Sequence, residues 1–281
     1  MPTSGMSDFR WSPPGPAMLF CPADRPERYN KAAERADVVI LDLEDAVAPD
    51  RREAAREALV ANQLDPDRTI VRINASTTGE ARRDLAAIAE TTYRVVMVAK
   101  AQTADEVART EMQTIALIET PLGAVNVNEI AAAPNVIGLM WGAEDLVAGL
   151  GGSSSRFSPD EPRAGTYRDL PRYVRAAVRL AAAANDRFAV DAVHLDIDDV
   201  EGLRDEVLDA VALGYHATAC IHPSQVVTIR DAYRPTAEQI EWATALVTAA
   251  DDHSGVFTHD GKMIDGPVLN QARAVLTRAG C

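Results

Sequence analysis

Short apolar runs, most of them rich in β-branched residues, alternate along this chain with longer stretches whose apolar positions recur at helical spacing. The runs cover 18–21, 38–43, 69–73, 94–98, 114–118, 136–141, 188–195 and 215–221. Most are continuously apolar, the mark of strands buried on both faces in a parallel sheet flanked by helices. The segments 25–35, 50–63, 79–90, 103–109, 123–133, 169–186 and 199–213 read as those helices, the first two starting behind Asp24 and Asp50 as N-caps. Strands alternating with helices imply right-handed βαβ units. Eight of them predict a (β/α)₈ TIM barrel, which needs about 250 residues. A doubly wound open sheet is the rival, but neither G-x-G-x-x-G nor a P-loop stands at any strand end.

The predicted barrel occupies 17–234. Residues 1–16, rich in Pro, Ser and Gly, read as a flexible arm without the basic start and apolar run of a signal peptide. Segment 149–165 reads as a long loop after the sixth strand. Segment 235–281 exceeds what an eighth barrel helix requires. Its two helical stretches, about 235–250 and 267–279 with an irregular piece between, are expected to form a C-terminal lid or an oligomer contact.

Composition narrows the partners. Among 281 residues, 42 Asp and Glu against 28 Lys and Arg give a net charge of −14. That balance argues against nucleic acid or an anionic membrane as a bulk partner. Three cysteines, at positions 21, 220 and 281, fit neither a zinc site nor a disulfide framework and read as reduced thiols of a cytoplasmic protein.

The informative residues are those that end the apolar runs: Asp42, Glu44 and Asp45; Arg72 and Asn74; Lys100; Glu119; Glu144 and Asp145; His194 and Asp196; His222. In a barrel these ends share the face that carries active sites. Glu119 and Asp145 lie about one βα unit apart, hence on adjacent strands. Two carboxylates that close do not both ionise cheaply without a cation. An oxygen-only donor set suits a hard divalent ion such as Mg²⁺. A carboxylate pair bridged by Arg72 or Lys100 is the other reading. Lys100 itself reads either as a Schiff-base lysine or as an ion-pair partner for the surrounding acids, the second being favoured. His194 and His222 read as capping or loop-fixing residues.

Seven blocks in order, LFCPADRPERYNKA (19–32), VVILDLEDAV (38–47), VRIN (71–74), IALIETPLGA (115–124), LMWGAEDL (139–146), DAVHLDI (191–197) and CIHPSQV (220–226), resemble the citrate lyase β-subunit-like group of the HpcH/HpaI aldolase/citrate lyase superfamily. The resemblance implies a TIM barrel, often trimeric, whose C-terminal lid reaches a neighbouring subunit. It also implies Mg²⁺-dependent cleavage or formation of a C–C bond in 3-hydroxyacyl thioesters of the malyl-, citramalyl-, methylmalyl- or citryl-CoA type. Mn²⁺ would substitute, and coenzyme A would enter as part of the substrate. By position it makes Glu119 and Asp145 the metal ligands and Arg72 the group facing the thioester or enolate oxygen. Glu44 and Asp45 would line the substrate side, with Glu44 the fallback acid/base. Asp265, in Asp265-Gly266-Pro267, would be the lid's acid/base group. The amides of Gly142, Ala143 and Glu144 would hold the keto acid carboxylate. Arg25, Lys31 and the loop 222–225 would meet the coenzyme A phosphates. Two departures are Ala99, where relatives often carry Pro, and Gly266, where many have Ser.

Overall fold

A computed structural model describes residues 10–251, 253 and 255–280 in two compact units, Met1–Ile229 and Arg230–Cys281. The first unit is a closed barrel of eight parallel strands in sequential order. The strands are β1 (Ala17–Pro22), β2 (Val38–Asp42), β3 (Thr69–Ile73), β4 (Val95–Val98), β5 (Gln113–Ile118), β6 (Val136–Trp141), β7 (Phe188–Asp191) and β8 (Ala217–Cys220). β2 and β6 are buried at every position, as continuous apolar runs require. The ladder closes where β8 pairs with β1, Cys220 opposite Leu19.

Around the barrel run α1 (Tyr29–Arg35), α2 (Arg52–Ala61), α3 (Gly79–Ile88), α4 (Ala104–Ala108), α5 (Pro121–Val125), α6 (Val127–Ala132), α7 (Ala143–Gly149), α8 (Asp169–Ala184), α9 (Val200–Ala212) and α10 (Gln225–Tyr233). The first two begin later than expected. Each is preceded by a 3₁₀ turn with Pro at its first position, and neither Asp24 nor Asp50 caps it. Asp24 instead meets Arg51 at 3.5 Å and Arg25 at 3.8 Å. β7 stops at Asp191 rather than running on to Leu195, and α7 precedes the long loop after β6.

The flexible arm expected at 1–16 needs correction. Residues 1–9 lie outside the described part, but Trp11 is only 3% exposed. Its indole N–H donates to the Asp67 carbonyl at 2.9 Å, and its main-chain N–H donates to Gln113 Oε1 at 2.8 Å. Its ring lies 5.7 Å from that of Phe188. Gly138 makes room for Phe188: a Cβ there would come within 2.3 Å of the Phe188 ring. All these partners stand at or just before the N-terminal ends of their strands, so Trp11 seals the barrel floor, opposite the C-terminal strand ends.

The second unit holds α11 (Ala237–Asp251), a hairpin of β9 (Phe257–His259) and β10 (Lys262–Ile264), and α12 (Gly266–Ala279). Phe257 and Ile264 pack with Ala243, Leu246, Ala272 and Val275 into a core of its own. The stretch expected to be irregular is therefore mostly ordered. Its turn is Asp260-Gly261, both at positive φ (46° and 72°), as a two-residue hairpin loop requires.

Candidate active site

Asp42 ends β2 with its carboxylate 1% exposed. It accepts the main-chain N–H groups of Glu44 (2.9 Å) and Ala46 (3.0 Å), which curls the chain so that Glu44 comes back over the strand ends. Arg72 stands opposite Asp42 in the β2–β3 register. Its Nε and Nη2 donate to the two Asp42 oxygens at 2.7 and 2.5 Å. The guanidinium lies 4.8 Å above the Phe20 ring. Nη1 remains turned toward Glu44, 3.4 Å from Oε2. Burial alone would lower the Arg72 pKa, but Asp42 and Glu44 hold it above its ordinary value. Asn74 clamps the two strand ends, donating to the Leu43 carbonyl and to the fully buried Asp84, each within 2.9 Å.

Lys100 follows β4 in the left-handed region, at φ 53°. Its main-chain N–H donates to Glu119 Oε1 at 2.9 Å. Its ammonium reaches Glu44 (2.5 Å), Asp45 (3.1 Å) and Asp145 (3.5 Å). Lys100 is thus the ion-pair partner that was favoured over a Schiff-base lysine, and it touches both carboxylates of the expected metal pair.

Glu119 is buried just past β5. Burial pushes its carboxyl up to about 8, against the pull of Arg72 and with Asp145 repelling its charge. Burial likewise raises Glu44, opposed by Arg72 and Lys100. Asp45 would rise by burial too, but the Lys100 hydrogen bond brings it below its ordinary value.

Gly142 follows β6, and the amides expected at 142–144 divide there. The Gly142 N–H is spent on the Ile118 carbonyl at 3.1 Å, so it does not serve a ligand. The role of Gly142 is steric: a Cβ would fall 2.7 Å from Glu119 Oε2. Ala143 and Glu144 open α7, whose first-turn N–H groups have no acceptor within the helix. The Glu144 side chain accepts from Ser155 Oγ at 2.5 Å, tying down the loop after α7.

Among the described residues no group of three or more His, Cys, Asp or Glu gathers for a metal. The donors on offer are the carboxylates of Glu119 and Asp145, with Glu44 Oε2 buried and lacking a hydrogen-bond partner nearby. A two-carboxylate oxygen set that leaves other positions to substrate and water is what Mg²⁺ takes. The glycine that leaves space beside Glu119 Oε2 fits the same ion.

The remaining residues fall elsewhere. Arg25 and Lys31 are exposed on the turn and helix after β1. The loop 222–225 is tied to itself and to the segment that follows β7. Gln225 Oε1 accepts the N–H groups of Ile221 and His222, and Gln225 Nε2 donates to the His194 carbonyl at 2.8 Å. His194 Nδ1 pairs with Glu206 at 2.9 Å, a loop-fixing role. Asp265, in the second unit, is the N-cap of α12, its carboxylate accepting from Val268 N–H at 3.2 Å. The partnership that sequence reasoning missed is Asp42 with Arg72. Asp42 appears in the sequence only as one more acid at a strand end.

The family model of HpcH/HpaI aldolase/citrate lyase matches residues 16–223. The chain belongs to that family. A second model, for a C–C bond lyase of the TIM-barrel fold, matches residues 168–281. The citrate lyase subunit beta-like protein of Mycobacterium tuberculosis is 54% identical over 95% of this chain and 96% of its own length. The (3S)-malyl-CoA thioesterase of Cereibacter sphaeroides is 32% identical over 94% of each chain. The crystal structure of CitE from M. tuberculosis with magnesium, acetoacetate and coenzyme A superposes with a TM-score of 0.90 at 54% identity, covering 95% of this chain and 98% of that one.

Proposed function

We propose that this chain is a Mg²⁺-dependent carbon–carbon lyase. It cleaves or condenses a 3-hydroxyacyl-CoA of the malyl-, citramalyl- or methylmalyl-CoA type, giving an acyl-CoA and a 2-keto acid. The observation that carries the reading is the cluster at one barrel mouth in which Lys100 touches Glu119, Asp145 and Glu44, and Arg72 Nη1 stands 3.4 Å from Glu44.

Glu119 and Asp145 would hold the ion. When bound, Mg²⁺ would supply Lewis acidity to the oxygens of the keto acid. The Ala143 and Glu144 amides hold the far carboxylate oxygen. Arg72, fixed on its far side by Asp42, turns Nη1 to the thioester oxygen and stabilises the negative charge of the enolate as the C–C bond breaks. Asp265 moves the proton at the enolate carbon. Arg25 and Lys31 meet the phosphates of coenzyme A. Free coenzyme A is favoured over an acyl-carrier subunit, because the 54% identical CitE was crystallised with coenzyme A itself. Acetoacetate in that crystal adds 3-hydroxy-3-methylglutaryl-CoA to the substrates worth trying, since acetoacetate and the enolate of acetyl-CoA are its two halves.

The proposal extends to a cytoplasmic homotrimer. It is supported by the surplus C-terminal unit and by the buried Cys21 and Cys220, neither of them in a disulfide. No described helix is long and apolar enough to cross a membrane.

The test is a screen of malyl-, citramalyl-, methylmalyl-, 3-hydroxy-3-methylglutaryl- and citryl-CoA with Mg²⁺, measuring keto acid and free thiol separately. Keto acid without thiol is the expected result, abolished by EDTA and restored by Mg²⁺ or Mn²⁺. Thiol without keto acid means a thioesterase acting on the hydroxyacyl thioester, thiol with keto acid means hydrolysis after the cleavage, and full activity in EDTA overturns the metal reading.

A further inference from the structure

Lys100 links more of the site than any other described side chain, and it does so with two separate arms. The backbone arm depends on the left-handed conformation at φ 53°, uncommon for a residue other than glycine. It delivers the amide to Glu119. The side-chain arm is graded. The ammonium sits tightest on Glu44, whose carboxylate is buried, and farthest, at 3.5 Å, from Asp145, whose side chain is 41% exposed. Arg72 matches Asp42 and also stands 3.4 Å from Glu44, and Lys100 is the ammonium that Glu44, Asp45 and Asp145 share.

Were Glu119 and Asp145 to hold a cation, Asp145 would give up its 3.5 Å contact with the ammonium, while Lys100 would stay on Glu44 and Asp45 with its positive charge beside the ion. We propose that Lys100 is a positioning residue that sets the divalent-cation affinity of the site: it competes for Asp145 and lowers that affinity, while its grip on Glu44 and Asp45 holds the substrate-side acids in place. This rests on the reading of Glu119 and Asp145 as the metal ligands.

The experiment is calorimetric titration of MgCl₂ into the full chain, its Lys100→Met, Lys100→Arg and Glu119→Gln variants, with kcat measured alongside. Lys100→Met keeps the stem and loses the charge. It is expected to bind Mg²⁺ about tenfold tighter, the scale of removing one positive charge close to a divalent ion even at water-like dielectric. Its kcat is expected to fall at the same time. Lys100→Arg keeps the charge and stays within about twofold of the wild-type affinity. A purely structural lysine would give weaker binding and lower turnover together. If Lys100→Met does not fold, Lys100→Asn, which tolerates the left-handed backbone, is read the same way. Unchanged or weaker Mg²⁺ binding by the neutral variants, with binding lost in Glu119→Gln, overturns the Lys100 proposal alone. Wild-type binding by Glu119→Gln overturns the metal site and the proposal with it.

Discussion

Arg72 and Asp42 face each other across the β2–β3 ladder and share two N–H···O bonds of 2.7 and 2.5 Å. The pairing immobilises the guanidinium edge away from the mouth and leaves Nη1 to face it. A buried arginine held this way is aimed rather than merely charged, because the planar fork fixes its orientation.

Asp42→Asn is isosteric and is expected to keep the fold. Glu44 and Ala46 donate to different Asp42 oxygens, so the single amide oxygen of Asn keeps one of those main-chain bonds and one Arg72 fork contact, and the variant loses the other of each together with the counter-charge. Stability should fall by about 1.5–3 kcal/mol, the range for a hydrogen bond to a charged group. The kcat should fall at least tenfold with KM little changed. Denaturant unfolding and steady-state kinetics check both, and a wild-type kcat would mean Arg72 does not depend on Asp42 for its aim.

Gly142→Ala tests the space beside Glu119. Its backbone, at φ −130° and ψ 126°, suits alanine, so the cost comes from the methyl pressing on Glu119 Oε2. Overpacking of this kind costs about 1–3 kcal/mol, relieved by turning the carboxylate away. Mg²⁺ affinity, read by titration, should drop at least tenfold. Unaltered affinity would remove Glu119 Oε2 from the ligand set.

The Glu119 carboxyl gives the site a pH dependence. Without a cation its pKa in the fold is about 8, above the 4.5 of the unfolded chain. The proton is therefore bound more tightly when folded. This contribution to stability is complete below about pH 4.5 and is lost as pH rises through about 8. A metal needs the carboxylate, so Mg²⁺ must displace the proton. Apparent Mg²⁺ affinity should climb about tenfold per pH unit on the acid side of pH 8 and then level off, with close to one proton released per ion. Calorimetry in two buffers of different ionisation enthalpy measures that release, and affinity flat from about pH 6 to 8 would contradict it.

Asp265→Asn preserves the side-chain acceptor that caps α12 and removes the exchangeable proton. The variant should fold, keep its oligomeric state and bind Mg²⁺. Its kcat should fall by about 10²–10⁴-fold, the range for a lost general acid/base. Exchange of acetyl-CoA methyl protons with deuterated water should fall in parallel. Near-normal turnover would leave Asp265 as a cap alone and move the search for the base to Glu44 or His194.

All eight strands were legible because burial on both faces leaves an uninterrupted apolar run, and the acids at their ends were legible because a barrel gathers those ends on one face. What each end contacts was not. That Asp42 is the partner of Arg72 depends on the β2–β3 register, which neither strand carries alone. The left-handed backbone of Lys100 has no glycine or asparagine to announce it, since its contacts impose it. The hairpin at Asp260-Gly261 does carry a turn signal, but three-residue strands on either side are too short to show alternation. Trp11 was misjudged because its hydrogen-bond partners lie 56 and 102 residues away, beyond any local pattern.

The seal made by Trp11 also bears on the order in which this chain acquires its structure. The Phe188 ring against its indole comes from β7, and Gln113, which takes its main-chain N–H, from β5. Closure of the floor is therefore a long-range event of the kind that slows folding. The tryptophan finds its full pocket only once strands distant in the sequence have taken their places in the wall.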